Sequence, residues 1–169
     1  MPTVNLRPLE PEDLDLIYIM ENDPGLWLST SDPRPYSKYA LRQYLASQPQ
    51  DIFQCGEMRS VIELPQEQEA VGLIDIVNFS PTSLRAEICI SILPGEQGKG
   101  LGSAALAKIE EFAKSSLNIR LLYAHISSKH NTACRSLFIS AGYALVATLP
   151  QWHKRGMEYE DIDVFTKNI

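Results

Sequence analysis

Residues Glu96–Ser103 read EQGKGLGS and put three glycines within five positions, Gly98, Gly100 and Gly102. Glycine at this density removes the Cβ atoms that would keep a ligand away from the backbone. Gln97, Gly100 and Gly102 satisfy the pattern Q-x-x-G-x-G, and a long helical pattern follows at once. Successive free N–H groups at a helix N-terminus suit a pyrophosphate, so Gln97, Gly98, Lys99, Gly100, Leu101, Gly102 and Ser103 form a candidate phosphate cradle. Two other phosphate loops compete with it. A Walker-type loop needs Ser or Thr after its lysine, and here Lys99 precedes Gly100. Gly100, Gly102 and Ala105 nearly meet a dinucleotide fingerprint, but the next strand pattern, LLYAHI, ends without the acid that would hold a ribose.

Other reactive side chains narrow the chemistry further. His125 and His130 lack metal-ligand spacing, so no metal is expected. Cys55, Cys89 and Cys134 are odd in number and widely spaced, which argues against a disulfide framework and for a reducing compartment. The net charge of −6 argues against a nucleic-acid partner. No leader-like apolar segment opens the chain, and nowhere do 18 apolar residues run together, so a cytoplasmic location is expected, with no membrane partner.

The elements that must hold the glycine turn are legible as patterns. Thr3–Arg7 reads as a strand ended by Pro8, and a helix starts at Pro11 with Glu12 and Asp13 at its positive end. Trp27 to Tyr36 carries two prolines, Pro33 and Pro35, and reads as a loop, after which Ser37 caps a second helix. Met58–Leu64, Ala70–Phe79 and Leu84–Leu93 read as three consecutive strands of an antiparallel meander leading into the glycines. Leu101, Ala105, Ile109 and Phe112 define one face of the helix beyond them. Arg120–Ile126 reads as a strand and Asn131–Ala141 as a helix ended by Gly142. Strands near Tyr143–Leu149 and Tyr159–Phe165 finish the chain. The expectation is one α+β domain over residues 1–169, with a mostly antiparallel sheet flanked by helices.

With these elements in order, the chain resembles the GNAT family of N-acetyltransferases. The likeness runs from LRPLEPEDL through RAEICISILPGEQGKGLG to NTACRSLFISAGY, and within the family it leans toward the spermidine and ribosomal-protein acetyltransferase branch. The resemblance implies a seven-stranded sheet splayed at a cofactor slot, with a bulge near the end of the cofactor strand. It implies acetyl-CoA as co-substrate, with its pyrophosphate on the Gln97–Ser103 turn and its pantetheine arm beside Ile90, Ser91 and Ile92. Asn131 matches the family's pantetheine-binding asparagine, and Lys129, His130 and Arg135 supply cations suited to the CoA 3′-phosphate. Transfer to an amine needs a base, for which Glu87 is the candidate, and an N–H for the oxyanion, expected near Ile92.

One departure stands out. The family's usual proton donor is a Tyr four residues before the Gly that ends this helix, and Phe138 occupies that position. Ser136 is a nearby alternative donor, and a Phe138→Tyr variant is expected to transfer faster. The acceptor is expected to be a primary amine, on a polyamine-like small molecule or on a protein or peptide, and self-association is allowed for. Phe138 also keeps open a second reading, an acyl-CoA-binding protein of this fold with little turnover.

Overall fold

A computed structural model describes residues 2–26, 34–47 and 51–169. The expected loop from Trp27 to Tyr36 lies mostly outside the described residues. Seven strands form one mixed sheet in the order β1-β2-β3-β4-β5-β7-β6. They are β1 (Asn5–Pro8), β2 (Met58–Leu64), β3 (Glu69–Ser80), β4 (Arg85–Ile92), β5 (Leu121–Ser127), β6 (Ala144–Arg155) and β7 (Glu158–Asn168). The helices are α1 (Leu14–Asn22), α2 (Lys38–Ala46), α3 (Ile52–Cys55), α4 (Leu101–Ser115) and α5 (Thr132–Ser140).

Strand alternation divides the core between the two faces. Ile74, Ile76, Ile88 and Leu122 pack under Ala105, Leu106 and Ile109 of α4 in the larger cluster. Val61 and Leu73 point the other way and bury Ile17 and Met20 of α1 and Leu41 of α2. Phe112 departs from the expected buried face of α4 and is 36% exposed, while its neighbour Ala113 takes the buried position in that turn.

Pairing within the sheet creates the opening. β4 runs antiparallel to β3 in unbroken register from Gly72↔Ile92 to Val77↔Glu87. It runs parallel to β5 only over Arg85↔Leu121, Ala86↔Leu122 and Glu87↔Tyr123. Beyond Glu87 the two strands diverge, although β4 continues to Ile92 and β5 to Ser127. The irregularity that accompanies this splay lies on β3, between Val77 and Ser80, where Asn78 adopts φ 52°. It therefore sits opposite the start of β4, which corrects the expectation of a bulge near that strand's end. Asn tolerates the left-handed region better than most residues, so the extra residue of the bulge is accommodated there.

Both C-terminal strands are longer than their patterns suggest. β6 passes through Pro150 and Gln151 by a register shift between Leu149 and His153. As the outer strand of the sheet, it can hold a proline that has no N–H to give.

Candidate active site

The divergence of β4 from β5 leaves main-chain groups without a strand partner. Leu93 N–H donates to Val71 O at 2.9 Å, so the odd-numbered residues of β4 bond β3. Leu84 O accepts from Arg120 and Leu121 on the β5 side, so the even-numbered residues face the other way. The amides of Ile90 and Ile92 consequently aim into the gap. Gln97 reaches back and donates its side-chain N–H to Ile92 O at 3.0 Å.

The glycine turn closes one end of this gap. Gly98 and Gly100 have φ of 77° and 79°, conformations open to glycine and strained for other residues. Gly100 is the N-cap of α4, and the first amide bond of the helix is Ala104 N–H to Gly100 O at 3.2 Å. The N–H groups of Leu101, Gly102 and Ser103 therefore leave the helix end without a helical acceptor. A Cβ on Gly98 would meet nothing within 4 Å, whereas one on Gly102 would touch Leu137 Cδ2 at 3.4 Å and approach Ile90 and Ile92.

A cavity of about 570 Å³ runs along this opening. Its walls bring together ten of the expected residues: Ile90, Ser91, Ile92, Gln97, Gly98, Gly100, Leu101, Gly102, Ser103 and Asn131. Asn131 also caps α5, accepting the Cys134 N–H at 3.2 Å on its side-chain oxygen. His130, Ser136 and Ser140 join the wall from the α5 side, and Gly25 and Leu26 join it from the end of α1. No local sequence pattern signals those last two, since only the fold carries them there.

Four expected residues, Lys99, Lys129, Arg135 and Glu87, fall outside this wall. Lys99 pairs with Glu96 at 2.8 Å within the glycine turn. Arg135 is turned onto the buried Asp163 and lies over the Phe165 ring, 5.5 Å from its centroid. Glu87 is 9% exposed and accepts from Asn78 Nδ2 at 2.9 Å. Its other oxygen faces His125 Nδ1 at 2.8 Å. Cys134 does line the wall, but burial pushes its thiol up to about 12, so it is inert as a nucleophile.

A smaller cavity of about 200 Å³ shares Leu26, Ile90 and Ser91 with the larger one. It lies on the α1 side of the sheet and is lined by Glu21, Arg59 and Asp75. Arg59 donates from Nη1 to Glu21 at 2.8 Å and from Nη2 to Asp75 at 3.0 Å. Burial alone would lower the Arg59 pKa, but Asp75, Tyr44 and Glu21 outweigh it and hold the guanidinium charged. Burial pushes the Asp75 carboxyl up, against the pull of Arg59. Cys89 closes the pocket, its thiol raised to about 12 by burial and by the nearby Glu87 charge.

The acetyltransferase (GNAT) domain family matches residues 3–144. The chain belongs to the GNAT family. It is an acetyl-CoA-dependent N-acetyltransferase. A spermidine N(1)-acetyltransferase of Escherichia coli is 29% identical to it over 150 residues, 87% of this chain and 76% of that protein. A spermidine N(1)-acetyltransferase of Vibrio cholerae is 24% identical over 159 residues, 94% of this chain and 89% of the relative. The crystal structure of the Vibrio cholerae spermidine N-acetyltransferase in complex with CoA and spermine shares the fold. Its TM-score is 0.85 over 98% of this chain and 95% of that one, at 24% identity. A dodecameric structure of that enzyme in an intermediate state gives 0.81 over 98% and 94%, also at 24% identity.

Phe138 lies away from the cavity. The side chain is 1% exposed, and its ring meets Tyr143 edge-on at 4.8 Å between centroids. It belongs to the core and does not line the cavity. A hydroxyl added there would enter apolar packing, which overturns the expectation that Phe138→Tyr speeds transfer. Tyr143 is equally remote, 4% exposed with burial raising its pKa. Thr132, Ser136 and Ser140 are the α5 residues with hydroxyls that line the cavity.

Proposed function

We propose that this acetyltransferase acetylates a primary amine of a polyamine-class small molecule, with donor and acceptor meeting at Ile90 and Ser91. The observation that carries this reading is the shared wall: the two cavities have Leu26, Ile90 and Ser91 in common. In the larger one, the turn at Gln97–Ser103 receives the CoA pyrophosphate. Ile90, Ser91 and Ile92 run beside pantetheine, which pairs with the free amides as an added strand would. Asn131 adds a contact from α5.

The smaller cavity suits a cationic acceptor. Glu21 and Asp75 outnumber Arg59 there, so the group carries a formal excess of one negative charge. An alkylammonium has a pKa of about 10.4 and must lose a proton before it attacks. The neutral amine adds to the thioester carbonyl, and the Ile92 N–H receives the developing oxyanion. The C–S bond then breaks, and the thiolate, whose parent thiol has a pKa of about 8.5, leaves with the electron pair. Named activities of the relatives point to the same amine class. The same reading includes a cytoplasmic enzyme, in keeping with three free cysteines and with no helix among the described residues long and apolar enough to cross a membrane. It also includes a homo-oligomer.

The test is a CoA-release assay with acetyl-CoA and spermidine, spermine or a peptide bearing a free N-terminus. Turnover of the two polyamines well above the peptide is expected. Turnover of the peptide alone would overturn the substrate class, and CoA release with none of the three would overturn the acceptor reading.

A further inference from the structure

Glu87 is poorly exposed for a group that takes protons directly, and what it holds is a histidine. Its side chain retains 12% of its accessible surface, whereas that of His125 retains 36%. One carboxylate oxygen is filled by the Asn78 amide and the other by His125 Nδ1. A carboxylate only accepts, so the ring nitrogen facing it carries the hydrogen, and His125 Nε2 is left with its lone pair on the far side of the ring. This is the arrangement in which an acid fixes the tautomer and orientation of an imidazole base.

The position of the pair follows from the sheet. Glu87 and Tyr123 form the last parallel pair of β4 and β5, and His125 is two residues further along β5, on the same face. His125 therefore stands where the strands begin to part. The same face carries Val77, which is opposite Glu87, and Cys89, and both line the smaller cavity. Glu87 lies three residues from Ile90, about 10 Å along a strand. Neither Glu87 nor His125 is among the residues lining the two cavities, so water must bridge an acceptor amine and the imidazole.

We propose that His125 is the proton acceptor of the transfer and that Glu87, steadied by Asn78, is its positioning residue. The inference rests on the amine-acetylation reading above. An alkylammonium gives its proton through water to His125 Nε2. The resulting neutral amine forms the C–N bond, the C–S bond breaks, and the thiolate takes a proton, from the imidazolium or from water. The nitrogen's second proton leaves to solvent, so the sum is one amide, one CoA thiol and one released proton. The groups facing His125 are Glu87 from β4, Tyr123 from its own strand, with its ring edge-on at 5.5 Å, and uncharged Val164 opposite it on β7.

The experiment compares the parent with His125→Gln, His125→Ala, Glu87→Gln and the double variant His125→Gln/Glu87→Gln. Spermidine is the acceptor, and acetyl-CoA binding is measured by calorimetry alongside CoA release. The expected result is a loss in kcat of about 10²- to 10⁴-fold for His125→Gln with acetyl-CoA affinity unchanged. Glu87→Gln should lose less, and the double variant no more than His125→Gln alone, since the two act as a unit. Added imidazole should restore part of the turnover of His125→Ala and none of that of Glu87→Gln, an effect that a packing role would not produce. Full turnover by a folded His125→Gln would overturn the proposal. So would a Glu87→Gln loss larger than that of His125→Gln, which would return the base to the carboxylate. A parent that releases no CoA with spermidine overturns the acceptor reading and this proposal together, and is told apart because every variant then matches the parent.

Discussion

The larger cavity is walled at its glycine-turn end by main chain, and the smaller one beside it by charged side chains. At Gly98–Ser103 the chain offers amides, left-handed backbone and absent Cβ atoms. At Glu21, Arg59 and Asp75 it offers two carboxylates held on one guanidinium, brought from α1, β2 and β3. A main-chain site has one geometry wherever it occurs, because the donors are part of the backbone. A side-chain site depends on partners that only the finished sheet brings together. The first should therefore fail by obstruction, and the second by loss of a partner.

The largest effect is expected at Arg59. Arg59→Met keeps much of the side-chain volume but leaves Asp75 and Glu21 facing each other without their cation. Removing one partner of a fully buried ion pair costs about 3–5 kcal/mol; Arg59 and its carboxylates are partly exposed, so urea unfolding should register a loss below that range. The sign of its pH dependence is fixed by Asp75. Burial holds its folded-state pKa above the unfolded value, and removing Arg59 removes the opposing pull. The native state then binds more protons than the unfolded one, so the variant should lose stability as pH rises above the ordinary carboxylate range and regain it as pH falls back into that range. A variant as stable as the parent at every pH would show that the carboxylates are solvated rather than held by Arg59.

The contrast also explains what could be read without the structure. Residues Gly72 to Ser103 contain β3's end of the meander, β4 and the glycine turn in one continuous stretch, so the slot's main wall is a local feature. The N-cap at Asn131 is local too. Glu87 could be singled out as a carboxylate on the right strand, but its link to His125 spans 38 residues and depends on the parallel register of β4 and β5. Arg135 looked like a phosphate cation because its own helix borders the slot, and the competing carboxylate, Asp163, comes from β7. Gly25 and Leu26 reach the slot because α1 packs over the sheet, which no spacing in the sequence records. What escaped the sequence reading was in each case a choice between partners far apart in the chain.

Obstruction of the main-chain site is the next largest effect. Gly100 is a poor place to test it, because φ of 79° would strain any replacement. Gly102 has no such restriction, and its added side chain would grow toward Leu137, Ile90 and Ile92, all on the cavity wall. Overpacking of this kind costs about 1–3 kcal/mol, so Gly102→Val should bind acetyl-CoA about 5- to 150-fold more weakly by calorimetry. Its thermal midpoint without ligand should fall by no more than that same overpacking cost. Unchanged affinity in a folded Gly102→Val would mean that the cofactor does not run along this wall.

The smallest effect on catalysis is expected at Phe138, where neither kind of site is touched. The ring is enclosed by the core and by Tyr143, and the cavity wall on α5 is formed by other residues. In Phe138→Tyr the new hydroxyl would be buried among apolar neighbours. A buried hydroxyl without a partner costs about 1–3 kcal/mol, and the thermal midpoint should fall accordingly. Turnover at a temperature where both proteins are folded should be unchanged, because the hydroxyl does not reach the leaving sulfur. Thiolate departure then relies on solvent or on the hydroxyls that do face the cavity. Ser136→Ala and Ser140→Ala, made on exposed positions of α5, separate those two routes with little expected change in folding. A Phe138→Tyr variant that is faster than the parent and equally stable would mean that the α5 side chain turns toward the slot when acetyl-CoA binds, and that the core around it yields more readily than its packing implies.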